Sequence, residues 1–420
     1  MSYAKRINVH RLATGGTVLV SAFPSHGMVS IVGSVAGGAR LAGNDSLADA
    51  HAAMLLEGTT KRTKAELQVA LDTMGASLSF AIERDRLTFT AHVRDIHLKK
   101  LLALINETLS VPSFSTRELA YYKERTVAEL SLEGQDTRAQ ASINLSRLLF
   151  DPSHPNYQLS TQESLAELAL VTRTDLITYH ARAIDRDSLV VSVSSDVPAT
   201  DLVAVIERSF ARLPRHHTSL PTYVAATPQA AKKIAVPIAG KASIDYMIGV
   251  ASGITKDHAD YPPLLLGMQV LGAPGLVSRL TQAVREEEGL TYDVRAVLDG
   301  FNGADGSCII SATFAPTLYE QGKASIMRQV RKILDENISA AEVRKYAQMY
   351  EARTRVFSSN SGSIARTAHQ VTIEGRSPSY LDEFPKKILK LTPREVHAAL
   401  KKYLVIDDLS ESAAGPVAKQ

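Results

Sequence analysis

Alternating apolar and polar residues predict a pair of strands in each half of this chain. Residues 74–93 (MGASLSFAIERDRLTFTAHV) alternate in two runs around a charged turn. Residues 288–314 repeat the pattern with a longer, Gly-rich turn. A period of two is typical of strands with one solvated face. A stretch of helical periodicity follows each pair, so both halves are predicted to be α+β units with hairpin-linked, mostly antiparallel strands and packed helices.

A second repeat lies near the end of each half. VTRTDLITYHARAI (171–184) and LTPREVHAALKKYL (391–404) both place an acid three residues after a threonine, 220 positions apart (391 − 171). In such a capping box the hydroxyl and the carboxylate satisfy free backbone N–H groups where a helix starts. Between the halves lies a segment rich in Pro, Thr and Ala that predicts a linker. The predicted division is 1–213, a linker at 214–233, and 234–420.

Charge and cysteine content exclude several classes of protein. The chain has 47 basic and 44 acidic residues, a net charge of +3 and no dense basic block, so it is not expected to bind nucleic acid. Its single cysteine, Cys308, excludes an intrachain disulfide and a cysteine-based zinc cluster. Cys308 lies in the apolar run SCIISATF, which favours a buried thiol.

Apolar runs give no sign of a membrane protein. No stretch approaches the roughly 20 apolar residues of a membrane span. The N-terminal segment MSYAKRINVHRL lacks the apolar core of a signal peptide. We therefore expect a cytoplasmic protein as the sequence stands, or a periplasmic or mitochondrial one if a leader has been removed.

Three consecutive stretches of the first half resemble a known family. VSIVGSVAGGARLAG (29–43) predicts a strand with a Gly-rich exit, LADAHAAM (47–54) a helix, and EGTTKRTKAEL (57–67) follows. This order resembles the insulinase/pitrilysin family of zinc metallopeptidases, which includes mitochondrial processing peptidase. The resemblance extends over essentially the whole chain. It implies two homologous α/β-roll halves that form a clamshell on dimerisation.

In active members of that family, the helix carries His-x-x-Glu-His ahead of a Gly-Thr. The resemblance places the first histidine on Asp49, the glutamate on Ala52 and the second histidine on Ala53. It places the third ligand, a glutamate, on Glu129, with neighbouring registers open. His51 lies two residues from Asp49 and is predicted to point to another side of the helix. The chain is therefore expected to carry a degenerate zinc site and no metal.

The second half keeps another signature of the family, in LVSRLTQAVREEEGLTYDV (276–294). Arg285 and Tyr292 match a family pair seven residues apart, which implies that Arg285 holds substrate and Tyr292 hydrogen-bonds the oxyanion. Alternatively, REEEGLTY is a plain helix end, with Gly289 as its cap and Tyr292 as a half-buried strand residue. The loop LGAPGL (271–276) resembles the family's Gly-rich substrate loop, through Gly272 and Gly275. A plain turn is the alternative for this loop.

These features together suggest a function. The resemblance implies a metal-free, catalytically incomplete subunit of a heterodimeric zinc peptidase, which binds peptide and lends Arg285 and Tyr292 to a homologous zinc-bearing partner. Zinc is expected in that partner and no cofactor in this chain. One alternative is a non-enzymatic scaffold like the core subunits of cytochrome reductase. Another is a peptidase active alone with an atypical metal site on Asp49, His51 and Glu129.

Overall fold

The alternating stretches of the sequence form the strands of two sheets. The computed structural model describes residues 2–216, 222–273, 275, 278–357 and 359–418. Its strands are β1 (Ile7–Arg11), β2 (Thr17–Ala22), β3 (Met28–Ala36), β4 (Ser77–Ile82), β5 (Arg86–Arg94), β6 (Val190–Ser195), β7 (Lys233–Pro237), β8 (Ile244–Ala251), β9 (Val294–Asp299), β10 (Ser307–Phe314) and β11 (Ser410–Gly415).

Helices connect the strands of both sheets. They are α1 (Ala39–Ala42), α2 (Asp45–Met54), α3 (Lys64–Met74), α4 (Leu98–Ser110), α5 (Thr116–Glu133), α6 (Thr137–Leu149), α7 (Thr161–Leu170), α8 (Arg173–Ala183), α9 (Ala199–Phe210), α10 (Tyr261–Gly272), α11 (Tyr319–Asp335), α12 (Ala340–Phe357), α13 (Ser361–Ile373), α14 (Tyr380–Leu389) and α15 (Pro393–Tyr403). The predicted α+β class is confirmed, and both predicted strand pairs, β4–β5 and β9–β10, are antiparallel neighbours.

The first sheet has the strand order β1-β2-β6-β3-β5-β4, antiparallel except where β2 runs parallel to β6. Because side chains alternate along a strand, Val29 and Ile31 of β3 enter the main apolar core beside α2 and α4. Ser30 and Ser34 of the same strand point to the other face. That face is covered by α13, whose His369 lies 2.8 Å from the Ser34 hydroxyl.

The second sheet has the order β7-β11-β8-β10-β9, antiparallel except where β11 runs parallel to β7. Helix α6 packs on β8 and β11. Leu145 and Leu149 of α6 are buried with Met247 of β8 and Ala414 of β11. An apolar stripe on α6 thus covers one face of this sheet.

Helices α6 and α13 make the two compact units of the structure interleave along the chain. One unit comprises residues 1–128, 164–222 and 354–384, and the other 129–163, 223–353 and 385–420. Each unit therefore includes one complete helix from the opposite half of the sequence, α13 in the first unit and α6 in the second. The predicted division at 214–233 follows the sequence repeat and stays a prediction; residues 217–221 of that linker lie outside the described part.

Local signals at the two repeated helix starts are confirmed. Thr172 accepts a bond from the Asp175 backbone N–H, and its own N–H donates to the Asp175 carboxylate at 2.9 Å. Thr392 and Glu395 form the same box at the start of α15.

Cys308 is fully buried on β10, and this burial raises the pKa of its thiol to about 12, so the thiol is protonated at neutral pH. Among the helices of the described ranges, none is long and apolar enough to cross a membrane.

Candidate functional site

Helix α2 occupies the position where the resemblance places the zinc motif. Asn44 caps it by accepting a bond from the Leu47 N–H at 2.7 Å, and Asp45 lies in its first turn, where a negative charge is favourable. The inner face of α2 is buried in the core through small side chains such as Ala48 and Ala50. The local sequence thus forms a regular amphipathic helix whether or not the helix carries metal ligands.

Side chains at the family's zinc positions do not form a zinc site. Asp49 is exposed and Ala53, one turn later, is half-buried, so these two share an accessible face. Ala52 is only 5% exposed and packs into the core. Neither alanine has a lone pair to offer, which leaves at most Asp49 and Glu129, an exposed residue on α5. Catalytic zinc takes about three protein ligands, so these residues do not fit it.

Asp49 titrates unusually for a residue at the surface. Desolvation by the surrounding protein, with a smaller effect from the neighbouring charge of Asp45, raises the pKa of its carboxyl to about 6. The same desolvation raises the pKa of Asp45. Both carboxylates are thus partly removed from water, which disfavours their charged forms.

His51 points away from Asp49, as the helix geometry predicted. It is fully buried, and its Nε2 lies 2.9 Å from Nδ1 of His180 on α8, with the Tyr179 ring edge-on at 4.8 Å. Burial lowers the pKa of His51 well below its usual value, with the neighbouring His180 adding to the effect, so both rings are neutral at pH 7.

The alternative metal site on Asp49, His51 and Glu129 is therefore wrong. His51 is enclosed on one side of α2 while Asp49 is exposed on another, so the two cannot share an ion. In the described part of the chain, no three His, Cys, Asp or Glu side chains are grouped to hold a metal. Sequence reasoning missed the contact between His51 and His180, because the two residues are 129 positions apart and no local pattern links them.

Arg285 lies in a π-helical segment, Thr281–Glu287. Its wider turn is visible in the bond from the Glu288 N–H to the Ala283 oxygen, five residues back, at 3.0 Å. Gly289, with a φ of +64°, follows in the left-handed region and ends the helix. Short π-helical turns occur frequently at functional sites. The helix end that the alternative interpretation expected is thus present, but it is not an ordinary α-helical one.

Tyr292 is 81% exposed and precedes β9, so its prediction as a half-buried strand residue is wrong. Its neighbours explain the exposure. Leu290 is buried, and the Thr291 hydroxyl donates to the backbone oxygens of Asp293 and Thr313. The backbone on both sides of Tyr292 is therefore fixed, and its ring projects into solvent.

Arg285 and Tyr292 contact each other across their seven-residue spacing. The Arg285 guanidinium lies over the Tyr292 ring, 4.2 Å from its centroid. A cation–π contact at an exposed site is worth about 0.5–1 kcal/mol, enough to bias the orientation of the phenol. The Arg285 Nε also lies 3.2 Å from a carboxylate oxygen of Glu286, a partner that the sequence analysis missed although the run REEEG contains it.

The two glycines of the predicted substrate loop differ. Gly272 is the last residue of α10 and is buried. A Cβ there would lie 2.2 Å from the Ala296 nitrogen, so close packing of α10 on β9 by itself requires glycine. Gly275 is exposed with a φ of +125°, a conformation that favours glycine. Residues 274, 276 and 277 of this segment lie outside the described ranges.

Comparison with protein families identifies both halves. A family model described as insulinase (peptidase family M16) matches residues 25–149, and one described as the peptidase M16 inactive domain matches residues 170–350. The two matches together cover most of the chain. The chain belongs to the insulinase family of peptidases, M16, and carries a domain of the inactive type.

Relatives with similar sequences are named as a zinc protease and as a subunit of a processing peptidase. An uncharacterised zinc protease of Mycobacterium leprae is 25% identical over 309 residues, 69% of this chain and 65% of that protein. The beta subunit of the mitochondrial-processing peptidase of Neurospora crassa is 25% identical over 211 residues, 47% of this chain and 42% of the subunit. The match thus spans less than two thirds of the length of these relatives.

A solved structure matches the chain over nearly its full length. This structure, a peptidase M16 inactive domain from Pseudomonas fluorescens, has a TM-score of 0.88 at 22% identity and covers 99% of both chains. At this identity the likeness shows the fold alone. The predicted insulinase-like membership is confirmed.

Proposed function

We propose that this chain is a metal-free subunit of an M16 peptidase that acts with a homologous zinc-bearing partner. It binds peptide and supplies Arg285 and Tyr292 to the site that the partner's metal completes. The observation that carries this proposal is the exposed phenol of Tyr292, fixed at its backbone and covered by a guanidinium on one face. An aromatic ring exposed in this way places apolar surface in water, which is unfavourable, and it contributes little to the stability of the fold.

Each of the two side chains suits a separate task. The Tyr292 hydroxyl can donate a hydrogen bond to the negative oxygen that develops when a peptide carbonyl is attacked. The Arg285 guanidinium can hold a substrate carbonyl or carboxylate with the N–H groups that the ring leaves open. Glu286, 3.2 Å from Arg285 and half-exposed, is readily displaced by such a substrate group.

Peptide is expected to lie along β9. This strand begins two residues after Tyr292, and within the described sheet it pairs with β10 alone, so no described strand occupies its outer edge. An extended peptide that adds to this edge forms backbone hydrogen bonds with little demand on sequence. The carbonyl groups of the bound peptide would then pass close to the start of β9, where Tyr292 projects.

The test is to mix this chain with a homologue that carries His-x-x-Glu-His and to measure cleavage of an internally quenched peptide. Neither chain alone should cleave it, and the mixture should. Tyr292→Phe should lower kcat by about 10²–10³, the effect of removing one oxyanion donor. Arg285→Ala should raise KM as well, because a substrate contact is lost.

A second exposed pair provides the matched control. Arg117 lies over the ring of Tyr121 on α5 at 5.5 Å, so Arg117→Ala and Tyr121→Phe remove the same groups elsewhere. These variants should leave kcat unchanged. Full activity of Tyr292→Phe in the mixture would show that the phenol is not lent. A complex that forms without gaining activity would favour the scaffold function instead.

A further inference from the structure

A cavity of about 520 Å³ opens in the first unit. It lies where β3 begins and β5 ends, whereas α2 follows the other end of β3. Its walls come from three elements: β3, β5 and the first turns of α13. The lining residues are Met28, Ser30, His92, Asn360, Ser361, Gly362, Ser363 and Arg366. The volume is in the range of small-ligand pockets.

Three of these side chains form a hydrogen-bonded row. His92 Nδ1 lies 3.0 Å from the Ser30 hydroxyl, which lies 2.8 Å from the Ser361 hydroxyl. If His92 accepts from Ser30, its Nε2 carries a proton that can be donated to a ligand. If His92 donates to Ser30, the Ser361 hydroxyl is released as a donor. In both arrangements the row retains a hydrogen-bond donor for a ligand.

Charge on the cavity wall is positive. Arg366 belongs to the lining, and it acts together with burial to lower the pKa of His92. Glu83 is one carboxylate that senses this charge: burial raises its pKa, while Arg86 and, more weakly, Arg366 oppose the rise. The wall therefore presents one guanidinium and neutral donors, an arrangement that suits an anion.

The second unit shows what occupies the equivalent position there. Ser30 of β3 lies opposite His92 of β5 in the register of the first sheet. Asp245 of β8 lies opposite Thr313 of β10 in the second. The covering helices correspond too, since α6 and α13 each follow an 18-residue helix. A carboxylate thus stands in one unit where a serine stands in the other.

That carboxylate is bound by the same kind of donors. Thr137, the first residue of α6, and Thr313 both donate hydroxyl groups to Asp245 at 2.6 Å. Ser361, the first residue of α13, has the place of Thr137. Arg138 follows Thr137 and lies 3.5 Å from Asp245. The second unit therefore fills this position with its own carboxylate, two hydroxyls and an arginine.

The first unit has hydrogen-bond donors at this position, but open space where the second unit has the Asp245 carboxylate. Gly362 stands where Arg138 stands in the second unit, and a Cβ on Gly362 would come within 3.2 Å of the His92 ring. We propose that this cavity binds the carboxylate of a small organic acid or of a peptide C-terminus, held by Ser361, His92 and Arg366. The ligand would take the position that Asp245 has in the second unit.

The experiment uses the full chain labelled with ¹⁵N-histidine and follows the His92 ring resonances by NMR. The probes are succinate, triglycine, triglycine amide and inorganic phosphate. Succinate or triglycine should shift the His92 signals in a saturable way, and the amide should not. Tighter binding of triglycine than of succinate assigns a peptide terminus, and the reverse assigns a small acid.

Two variants and a control make the test specific. Arg366→Gln should weaken carboxylate binding by about 10- to 100-fold, because a charged hydrogen bond is lost. Ser30→Asp should abolish it, since it supplies the acid that Asp245 supplies in the second unit. Arg331→Gln removes an exposed charge from α11 and should change nothing.

Other outcomes overturn the proposal. Absence of a saturable His92 shift with either carboxylate excludes the site. An equal response to the amide, or to phosphate but not to carboxylate, overturns the assigned ligand. Unchanged affinity in Arg366→Gln, a surface variant expected to fold, excludes the assigned residues even if Ser30→Asp fails to fold.

Discussion

Helix α2 and the segment from Thr281 to Tyr292 are the two regions where the family resemblance places catalytic groups, and they differ in the side chains that they present. Helix α2 has a regular backbone and a capped start, but Ala52 and Ala53 stand at two of the positions that the zinc motif would occupy. The Thr281–Tyr292 segment begins with a π-helical stretch and presents Arg285 and Tyr292, the side chains that we propose contact substrate. Helix α2 has a structural reason to stay without metal ligands, because its apolar face fills the core. An exposed tyrosine has no such structural reason to stay.

The largest expected effect comes from restoring ligands to α2. Asp49→His combined with Ala53→His places two imidazoles one turn apart on the accessible face. We expect this variant to retain about one equivalent of zinc after gel filtration, against less than about a tenth for the wild type. Metal analysis measures this directly.

A single variant of α2 and a substitution at Glu129 test which side chains hold the zinc in that experiment. Asp49→His alone gives one imidazole and should retain little zinc. Adding Glu129→Gln to the double variant should weaken binding if Glu129 is the third ligand, which also tests its register. A folded double variant that binds no zinc would show that α2 has lost the geometry as well as the ligands.

Gly272 tests whether the glycines near the retained segment are structural. Gly272→Ala should destabilise the protein by about 1–3 kcal/mol, because the added methyl overlaps the Ala296 backbone. Thermal unfolding measures the loss. Gly134→Ala is the control, since the nearest atoms lie at 3.5 Å and its φ is not in the left-handed region. An unchanged Tm for Gly272→Ala would leave substrate approach as the reason for glycine there.

The repeated capping boxes offer a comparison in which the halves should agree. Thr172→Ala and Thr392→Ala each remove a side chain that caps an exposed helix start with the same bonds. Each should cost about 1 kcal/mol of stability, measured by chemical denaturation. A loss confined to one variant would mean that the two helix starts, alike in sequence, differ in how the rest of each unit supports them.

The smallest effect concerns the charge that remains on α2. The pKa of Asp49 is raised to about 6 in the folded chain, so folding favours the protonated carboxyl. Its contribution to stability is present below about pH 4 and is lost as the pH rises through 6. Asp49→Asn should therefore raise the free energy of unfolding at pH 7.5, by less than about 1 kcal/mol because the side chain is exposed. The Tm should rise accordingly at pH 7.5 and stay unchanged at pH 4. A Tm gain that is equal at both pH values would contradict the raised pKa.

Particular elements show why some features could be predicted. The strand pair β4–β5 and the helix starts at Thr172 and Thr392 depend on residues within a few positions of one another, so alternation and capping patterns identify them. The family frame placed Asp49 and Tyr292 correctly on their elements. It could not predict that Tyr292 is exposed, since that depends on how Leu290 and Thr291 are anchored.

The sequence by itself determined the order of strands and helices, the repeat between the halves and the absence of histidine from positions 49 and 53 of α2. These are properties of composition and of short-range hydrogen bonding. Only the tertiary structure decided that α13 covers the first sheet and α6 the second, and that Ser30, His92 and Arg366 surround one cavity. Ser30 and Ser361 are 331 positions apart, so their contact exists only once the sheet is complete and its polar face selects the helix that packs on it.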